Sequence, residues 1–415
     1  MKQLKEAVVV EAVRTPITKS GWKHKDTSKE GAFSDVSSHI LISSVVTALV
    51  DRVKEKSSKF DTREIEDCAV GCHAAIGEQS MIGRMAVLIS DLPEEVSGWT
   101  VTRYGCEGLQ AVISQAQAIM SGCGDIMIAA GVENMSRYPL MAPLESALKS
   151  GYPMSPHPNF EKRGGFVMMG SAAEMIGNKY DIYREDMDRY SLRSHQKAIK
   201  AMRDTDWYEK RVIPIHISPN GHAGKTVSLD EGPRGIAIDD TATAWANMEK
   251  LEPRFKDGGE VTSASSSGIA DGAAAVMLMS KEKAKELGLE PMVTIRSMAV
   301  AGSDPYYHLL APIPASKKAL KRAGITIDDV EVIEILETFA SPVLAFCKEF
   351  GVAFDDPRIN PTGGAIAMGN PIGSSGVLYF TEMVHWMVRN NLRWGLQCAS
   401  GVHGVGVAAV VEREP

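Results

Sequence analysis

One cysteine stands where an apolar, strand-like run gives way to a helix-like pattern. In VTRYGCEGLQAV (101–112), Cys106 directly precedes the predicted helix at 107–120. The unpaired backbone N–H groups and the positive end of the helix dipole stabilise a thiolate at such a position and lower its pKa. Cys106 is therefore a candidate nucleophile. The alternative is that it packs as a small apolar residue, since free cysteine is among the most frequently buried residue types.

A second segment combines a thiol with an imidazole. QCASGVHGVG (397–406) is predicted to form a glycine-rich turn before an apolar strand, and it contains Cys398 and His403. Glycine lets the backbone approach a ligand closely and leaves N–H groups available for an oxyanion. His403 is then a candidate base, and Cys398 a candidate acid or nucleophile. A tight turn with a hydrogen-bonded histidine is the alternative.

Two further loops have compositions that suit ligand binding. The glycines of NPTGGAIAMGNPIGSSG (360–376) precede a long predicted helix, whose first N–H groups point at whatever binds there. A P-loop is excluded, because no Gly-Lys-Ser/Thr follows at the required spacing. In EVTSASSSGIADGAAAVMLMS (260–280), small hydroxyl residues precede a buried strand and suit contact with a narrow ligand arm. A solvated loop is the alternative for this second segment.

The overall composition is that of an ordinary globular protein of 415 residues. A net charge of −7 argues against a general nucleic-acid binder, for which a basic surface is expected. No apolar run reaches the ~18 residues of a membrane span and the start lacks a signal-peptide pattern, so we expect a cytoplasmic protein. Cys68, Cys72 and His73 lack a second ligand pair at zinc spacing, so we expect no metal site.

Short apolar runs alternate with longer amphipathic ones, which is the pattern of an α/β protein. Strands are predicted at 6–13, 67–72, 100–105 and 125–130, with helices at 37–53 and 107–120. A related succession follows near the C-terminus, with a strand at 329–336, a helix at 371–391 and a strand at 404–412. The pattern therefore predicts two copies of one βα unit. The region 131–250, rich in Met, Gly, Pro and charge, is predicted to be an inserted loop domain.

Four segments in this order and spacing resemble the thiolase family: GVENMSRYP (131–139), TSASSSGIADGAAAVMLMS (262–280), NPTGGAIAMGNPIGSSG (360–376) and CASGVHGVGVAAVVE (398–412). The resemblance covers nearly the whole chain. It implies two pseudo-repeated α/β units in five layers, α-β-α-β-α, with an inserted loop domain.

The domains expected on this basis are an N-terminal unit of 1–130 and 251–282, a loop domain of 131–250 and a C-terminal unit of 283–415. The resemblance also implies an acyl-CoA C-acyltransferase that uses coenzyme A as a substrate and holds no permanent cofactor. A homodimer or homotetramer is the expected assembly.

The chain departs from the family at its catalytic segments. The thiolase cysteine that takes the acyl group falls on Gly105, and Cys106 comes one residue later. The family's Gly-His-Pro, whose histidine activates that cysteine, is Gly369-Asn370-Pro371, and its Asn-Glu-Ala-Phe is Leu336-Glu337-Thr338-Phe339. The second family cysteine, a proton shuttle, matches Cys398. A shift of one residue at a helix start rotates a side chain by roughly 100°, so Cys106 reaches the acyl site only if the turn is remodelled.

These departures affect the expected chemistry. Asn370 can donate a hydrogen bond to an oxyanion but cannot take a proton at neutral pH. Leu336 cannot hold the water of the family's oxyanion hole, and the loss of one such donor commonly costs ~3–4 kcal/mol of transition-state stabilisation. Possible substitutes are His403, His308 and Glu107. Changes at several pocket segments at once indicate an altered substrate or reaction.

The CoA-binding segments are better kept. By the resemblance, Ser267 meets the pantetheine arm, Met169 lines its tunnel, and Phe339 is the aromatic residue beside it. Lys162 and Arg163 are candidates for contact with the nucleotide phosphates, or else form a solvated charge run.

The sequence therefore predicts a thiolase-type enzyme that makes or cleaves a carbon–carbon bond of a 3-oxoacyl-CoA. The candidate catalytic residues are Cys106, Cys398, His403, Asn370 and Glu337. Two alternatives stay open: a thiolase-fold CoA-binding subunit that has lost thiolysis and works with a partner chain, and a thiolase-like retro-aldolase without an acyl-cysteine. Nucleic acid and membranes are not expected partners.

Overall fold

The computed structural model describes residues 4–20, 31–149, 157–217 and 224–414. Within these ranges, none of the helices combines the length and the apolar character needed to cross a membrane.

The strands are β1 (Ala7–Arg14), β2 (Thr18–Lys19), β3 (Asp67–Gly71), β4 (Ser97–Val101), β5 (Ile126–Asn134), β6 (Ile215–Ile217), β7 (Lys225–Val227), β8 (Ala270–Ser280), β9 (Val293–Gly302), β10 (Val332–Ile335), β11 (Trp394–Gly401) and β12 (Val405–Glu412). The α-helices are α1 (Ser38–Lys56), α2 (Ile82–Ile89), α3 (Glu107–Ser121), α4 (Ala142–Lys149), α5 (Pro158–Glu161), α6 (Met169–Lys179), α7 (Arg184–Arg203), α8 (Thr205–Tyr208), α9 (Ile236–Asp239), α10 (Thr241–Glu249), α11 (Lys281–Leu287), α12 (Pro312–Ala323), α13 (Ala340–Phe350), α14 (Ala365–Met368) and α15 (Ile372–Asn390).

The main sheet consists of two halves with the same internal pairing. The first half has the order β4-β3-β5-β8-β1 and the second β10-β11-β12-β9. In each half a parallel pair, β3 with β5 or β10 with β11, is followed by two antiparallel pairs. The first half has in addition the parallel pair of β3 with β4 at its edge. The halves join where Val8 and Val9 of β1 pair with β9. The predicted pseudo-repeat of two α/β units is confirmed.

Three apolar clusters separate five layers. One cluster packs α1 and α2 against the first half of the sheet, and another packs α12 and α13 against the second half. The third lies between the two halves and contains the buried faces of α3 and α15. The order of layers is therefore α-β-α-β-α, as the family resemblance implies. Between β5 and β8 the chain contains α4 to α10 and the small β6–β7 sheet, and the exact boundaries of the expected loop domain stay a prediction.

The two central helices contact each other through their backbones. A β-carbon on Gly108 would lie 2.7 Å from the backbone nitrogen of Val377, and one on Gly376 would lie 2.0 Å from that of Leu109. Both separations are shorter than carbon and nitrogen atoms tolerate, so only glycine allows this approach. The contact brings the turn before α3 close to the loop before α15.

The helix predicted at 107–120 is present as α3, although Met120, at the end of its apolar stripe, is only partly buried. Leu109, Val112, Ile113 and Ala116 are buried on one stripe, and Gly122 ends the helix in the left-handed conformation with φ 73°. The strand predicted at 100–105 instead ends at Val101, since the residues that follow turn into α3.

A buried cluster of charges ties β1 and α15 to the segment between β5 and β8. The guanidinium of Arg14 donates to both carboxylate oxygens of Asp230 at 2.8 Å and to Glu382 at 2.6 Å. Glu382 also accepts from Arg211 at 2.7 Å. Burial by itself raises the pKa of Glu382, but the charges of Arg211 and Arg14 outweigh it and lower that pKa to about 2.

Replacing Arg14 tests the cluster. In Arg14→Met, Asp230 stays buried without its guanidinium partner and Glu382 keeps only Arg211, so the free energy of unfolding should fall by about 3–5 kcal/mol. Urea unfolding followed by circular dichroism measures the change. The control is Arg203→Met, which removes an exposed ion pair with Asp239 and should leave the unfolding midpoint unchanged. Equal midpoints for the two variants would contradict a stabilising role for the cluster.

Two buried histidines make stability depend on pH. Burial lowers the pKa of His308 and of His385 to about 4, below the ordinary value of about 6.5. Between pH 6.5 and 4 the unfolded chain binds more protons at these positions, so the free energy of unfolding should decrease as the pH falls through this range. Unfolding curves for His385→Gln should show a shallower pH dependence than those of the native protein, and an unchanged slope would contradict the contribution of this histidine.

Candidate functional site

The turn before α3 has no side chain at its central position. Gly105 has φ 119°, and a β-carbon there would lie 2.6 Å from the carbonyl oxygen of Ser400. The neighbouring carbonyl of Tyr104 accepts a hydrogen bond from Val402 N–H at 2.9 Å. The turn is thus packed directly against the backbone at the end of β11. In this conformation position 105 accepts only glycine.

Cys106 does not take the place of that missing side chain. It is fully buried, and its Sγ donates to the carbonyl oxygen of Ala399 at 3.5 Å. Burial raises the pKa of the thiol well above its ordinary value, and the charge of Glu107 raises it further. The expected lowering by the helix dipole is therefore wrong, because desolvation of a thiolate outweighs a dipole term of about 1 kcal/mol. The assignment of Cys106 as nucleophile stays a prediction, and this geometry opposes it.

Glu107 forms two contacts that link the turn to the segment directly after β3. Its Oε2 accepts from Gly105 N–H at 2.8 Å, and its Oε1 lies 3.3 Å from Nδ1 of His73. Burial lowers the pKa of His73, but the hydrogen bond to Glu107 and its charge outweigh burial and raise that pKa. The N–H of Gly105 is thereby occupied by a carboxylate. No sequence pattern indicated this pair, because 34 positions separate its members.

Cys398 lies within a strand, and the turn predicted to contain it is shorter. In β11 it pairs with Ile335 on one side and with Ala408 on the other, and only 402–404 form the turn. Cys398 packs in the cluster beneath α12 and α13, whereas Ala399 packs with Cys106 in the central cluster. Burial raises the pKa of Cys398 to about 12. The role of Cys398 as an acid stays a prediction.

His403 lies in the turn between β11 and β12 with φ 60°. Its ring is half-buried and makes edge-to-face contacts with Phe160 and Phe166, at centroid distances of 5.1 and 5.7 Å. Burial lowers the pKa of the imidazole, which favours its neutral form. The backbone N–H of His403 donates to Nδ1 of His308 at 3.2 Å. The structure therefore pairs two histidines that are distant in sequence.

Asn370 and Ser267 meet at the loop before α15. The backbone N–H of Asn370 donates to Gly268 at 2.8 Å, and its side-chain amide lies 3.5 Å from the Ser267 hydroxyl. Ser375 donates to the amide oxygen of Asn370 at 2.7 Å, which leaves the amide nitrogen as the donor on the Ser267 side. Asn370 can thus donate a hydrogen bond, as the sequence indicates.

The residues expected to hold CoA form one continuous wall with this pair. The backbone N–H of Ser267 donates to Thr338 at 3.0 Å, directly before Phe339. The Phe339 ring contacts Phe255 edge-to-face at 5.4 Å, and Phe255 packs on the backbone of α6 beside Met169. Met169 is half-buried, and Lys162 and Arg163 are exposed. Their contact with the nucleotide phosphates stays a prediction. The wall combines apolar surface with a hydroxyl, which suits a pantetheine arm.

The side chain of Glu337 does not contribute to this wall. Its hydrogen bonds connect separate segments of the fold. Its buried carboxylate accepts hydrogen bonds from Tyr190 at 2.6 Å, Ser194 at 2.8 Å and the Asn360 amide at 2.8 Å. The backbone N–H of Ile366 donates to it at 3.0 Å. With four donors around it, the carboxylate positions α7 and the 360–366 loop. Its assignment as a catalytic residue stays a prediction without a geometric argument in its favour.

The backbone N–H groups at the N-terminus of α15 likewise bind a carboxylate of the protein itself. Gly373 N–H donates to Oε2 of Glu133 at 3.0 Å, and His73 N–H donates to the same oxygen at 2.7 Å. The glycine-rich segment was expected to leave such donors for a ligand. A buried carboxylate from β5 takes them instead. Among the residues that the structure describes, no three potential metal ligands converge.

Comparison with known proteins agrees with this architecture. The thiolase N-terminal domain matches residues 7–282, and the thiolase C-terminal domain matches 289–413. A 3-ketoacyl-CoA thiolase of Idiomarina loihiensis is 37% identical over 99% of this chain and 100% of its own length. An acetyl-CoA acetyltransferase of Syntrophomonas wolfei is 37% identical over 98% of this chain and 99% of its own. The crystal structure of a Bacillus anthracis acetyl-CoA acetyltransferase superposes with a TM-score of 0.85 at 29% identity, covering 99% of this chain and 100% of that one.

Thiol labelling checks the orientation of the cysteines. Cys123 is exposed and the other five cysteines are buried. A chromogenic disulfide reagent should therefore react rapidly with one thiol in the native protein and with six after denaturation. Cys123→Ser should remove the rapid phase. Rapid labelling of Cys106, located by peptide mass spectrometry, would contradict the buried orientation.

Proposed function

Because the chain belongs to the thiolase family, we propose that it is an acyl-CoA C-acyltransferase that makes or cleaves a carbon–carbon bond of a 3-oxoacyl-CoA. Coenzyme A is then a substrate, and the reaction needs no permanently bound cofactor. The full-length match to 3-ketoacyl-CoA thiolases and acetyl-CoA acetyltransferases supports the reaction class. The contiguous wall formed by Ser267, Phe339, Phe255 and Met169 supports CoA binding.

The main observation behind the proposal is the convergence of three loops at one place. The turn at 104–106 packs against the end of β11, and the 402–404 turn continues from there. The loop at 369–371 reaches the same region through the contact between α3 and α15. In such an arrangement a thioester on the Ser267 wall is presented to donors from several elements. Asn370 contributes one of these donors.

A second candidate function follows from the contacts of Cys106 and of the turn that contains it. Cys106 faces the carbonyl of Ala399, Gly105 has no side chain, and Glu107 occupies the Gly105 N–H. A carboxylate beside the acyl position also opposes a developing negative charge. These contacts favour a CoA-binding chain that needs a partner subunit for thiolysis, or a carbon–carbon bond cleavage without an acyl-cysteine. A homodimer or homotetramer is proposed for either version.

An acylation experiment distinguishes the two functions. The purified protein is incubated with acetyl-CoA and analysed by intact mass, with CoA binding measured separately by calorimetry. A thiolase that uses Cys106 should gain one acetyl group, and Cys106→Ala should abolish the gain while Cys123→Ser keeps it.

The second function predicts CoA binding without any acetyl adduct, and Cys106→Ala should then bind CoA as the native protein does. Absence of measurable CoA binding would contradict both versions.

A further inference from the structure

A buried hydrogen-bond donor near the proposed site has no acceptor. His308 is fully buried, and its Nε2 has no hydrogen-bond partner among the residues that the structure describes. The hydroxyl of Ser303 is also buried, and it too has no hydrogen-bond partner among the described residues. Buried polar atoms are nearly always hydrogen-bonded in folded proteins, so two unpaired atoms at one place call for a missing partner.

The tautomer of His308 follows from its one hydrogen bond. Nδ1 accepts from the backbone N–H of His403 at 3.2 Å, so Nδ1 carries the lone pair and Nε2 carries the hydrogen. Burial lowers the pKa of His308 to about 4, and the neighbouring His403 lowers it as well. At neutral pH the ring is therefore uncharged. It can donate through Nε2 but is poorly suited to take a proton.

The position of His308 connects it to the proposed acyl site. It lies on the 3-10 helix Pro305–Leu310, which packs against α6 and the 402–404 turn. Two hydrogen bonds fix that turn: Val402 N–H donates to Tyr104 and His403 N–H donates to His308. The 402–404 turn thus contacts both His308 and the 104–106 turn. Ser303 contacts the same turn, since its hydroxyl would lie 3.0 Å from a β-carbon on Gly404.

The residues around His308 determine which kind of acceptor its Nε2–H can bind. Phe160 and Phe166 cover His403, and Leu309 and Leu310 flank His308 in the apolar cluster beside α6. A carboxylate would lose its hydration here with only a neutral donor as compensation, which is unfavourable. A carbonyl oxygen loses less on burial and gains charge during an acyl-transfer or aldol-type step. A fixed neutral donor stabilises that charge without a proton transfer.

We infer that the Nε2–H of His308 donates a hydrogen bond to a carbonyl oxygen of the bound acyl group. The inference rests on the proposed function, since it requires that the chain bind an acyl-CoA. It assigns to this chain a donor that replaces the missing imidazole at position 370. The carbonyl is either that of the thioester or the 3-keto group, and both present the same acceptor. Binding requires the residues around His308 to move, because its Nε2 is shielded from solvent.

Two matched variants test the donor. His308→Gln keeps an N–H group at the end of the side chain, and His308→Met removes it at similar volume. Calorimetry with free CoA, butyryl-CoA and acetoacetyl-CoA measures the affinity of each. Loss of one buried hydrogen bond should weaken binding of the accepting ligand about tenfold in His308→Met, with free CoA binding unchanged and His308→Gln near the native value.

Comparison of butyryl-CoA with acetoacetyl-CoA identifies which carbonyl accepts the hydrogen bond. Weakening of both thioesters assigns the thioester oxygen, and weakening of acetoacetyl-CoA alone assigns the 3-keto oxygen. Infrared spectra of acetoacetyl-CoA labelled with carbon-13 at either carbonyl should show a lower stretching frequency for the accepting group in the native complex and not in His308→Met. The Nε2–H proton resonance of His308 should also shift on addition of acetoacetyl-CoA, a measurement that needs no stable methionine variant.

Three results would overturn the inference. Equal acyl-CoA affinities in the native protein and His308→Met, with unshifted carbonyl frequencies, would remove the donor role while leaving the proposed function intact. A water molecule bonded to Nε2 in a crystal of the acetoacetyl-CoA complex would do the same. Failure of the native protein to bind free CoA would instead remove the proposed function, and the inference with it.

Discussion

The backbone contact between α3 and α15 is the constraint on which the rest of the structure depends. Gly108 and Gly376 let the two helices touch without intervening side chains, in the layer between both halves of the sheet. Their N-termini are held side by side, so the turns that precede them share one region. A side chain at either glycine would separate the helices and, with them, the 104–106 turn from the loop containing Asn370. The site is therefore built from the pseudo-repeat itself.

Buried carboxylates determine which backbone donors stay available at that region. Glu107 takes the N–H of Gly105, and Glu133 takes that of Gly373 at the start of α15. The helix N-termini favour negative charge, and an internal carboxylate supplies it at no cost in association entropy. Burial raises the pKa of Glu133. The donors that we propose for a substrate oxygen, on Asn370 and His308, are accordingly side-chain groups.

Two effects act in opposite directions on the pKa of a cysteine thiol, and the larger of the two sets the direction of the shift. Proximity to a helix N-terminus stabilises a thiolate by about 1 kcal/mol, whereas removal of the thiolate from water costs several times as much. Cys106 lies at the start of α3 but points into the central apolar cluster, and Cys398 points into the cluster beneath α12. Both thiols therefore have raised pKa values. Position along a helix does not by itself make a cysteine reactive.

The sequence by itself determined the α/β class, the repeat of the βα unit, most element positions and the family, because apolar periodicity and motif order are local properties of the chain. It also predicted that Gly105 and Asn370 stand where the family has its catalytic cysteine and histidine. It could not determine that Cys398 lies in a strand, since strand pairing with Ile335 and Ala408 is a long-range property. Nor could it pair Glu107 with His73 or His308 with His403. Those contacts depend on directions of side chains across a packed interior, and only the tertiary structure decides them.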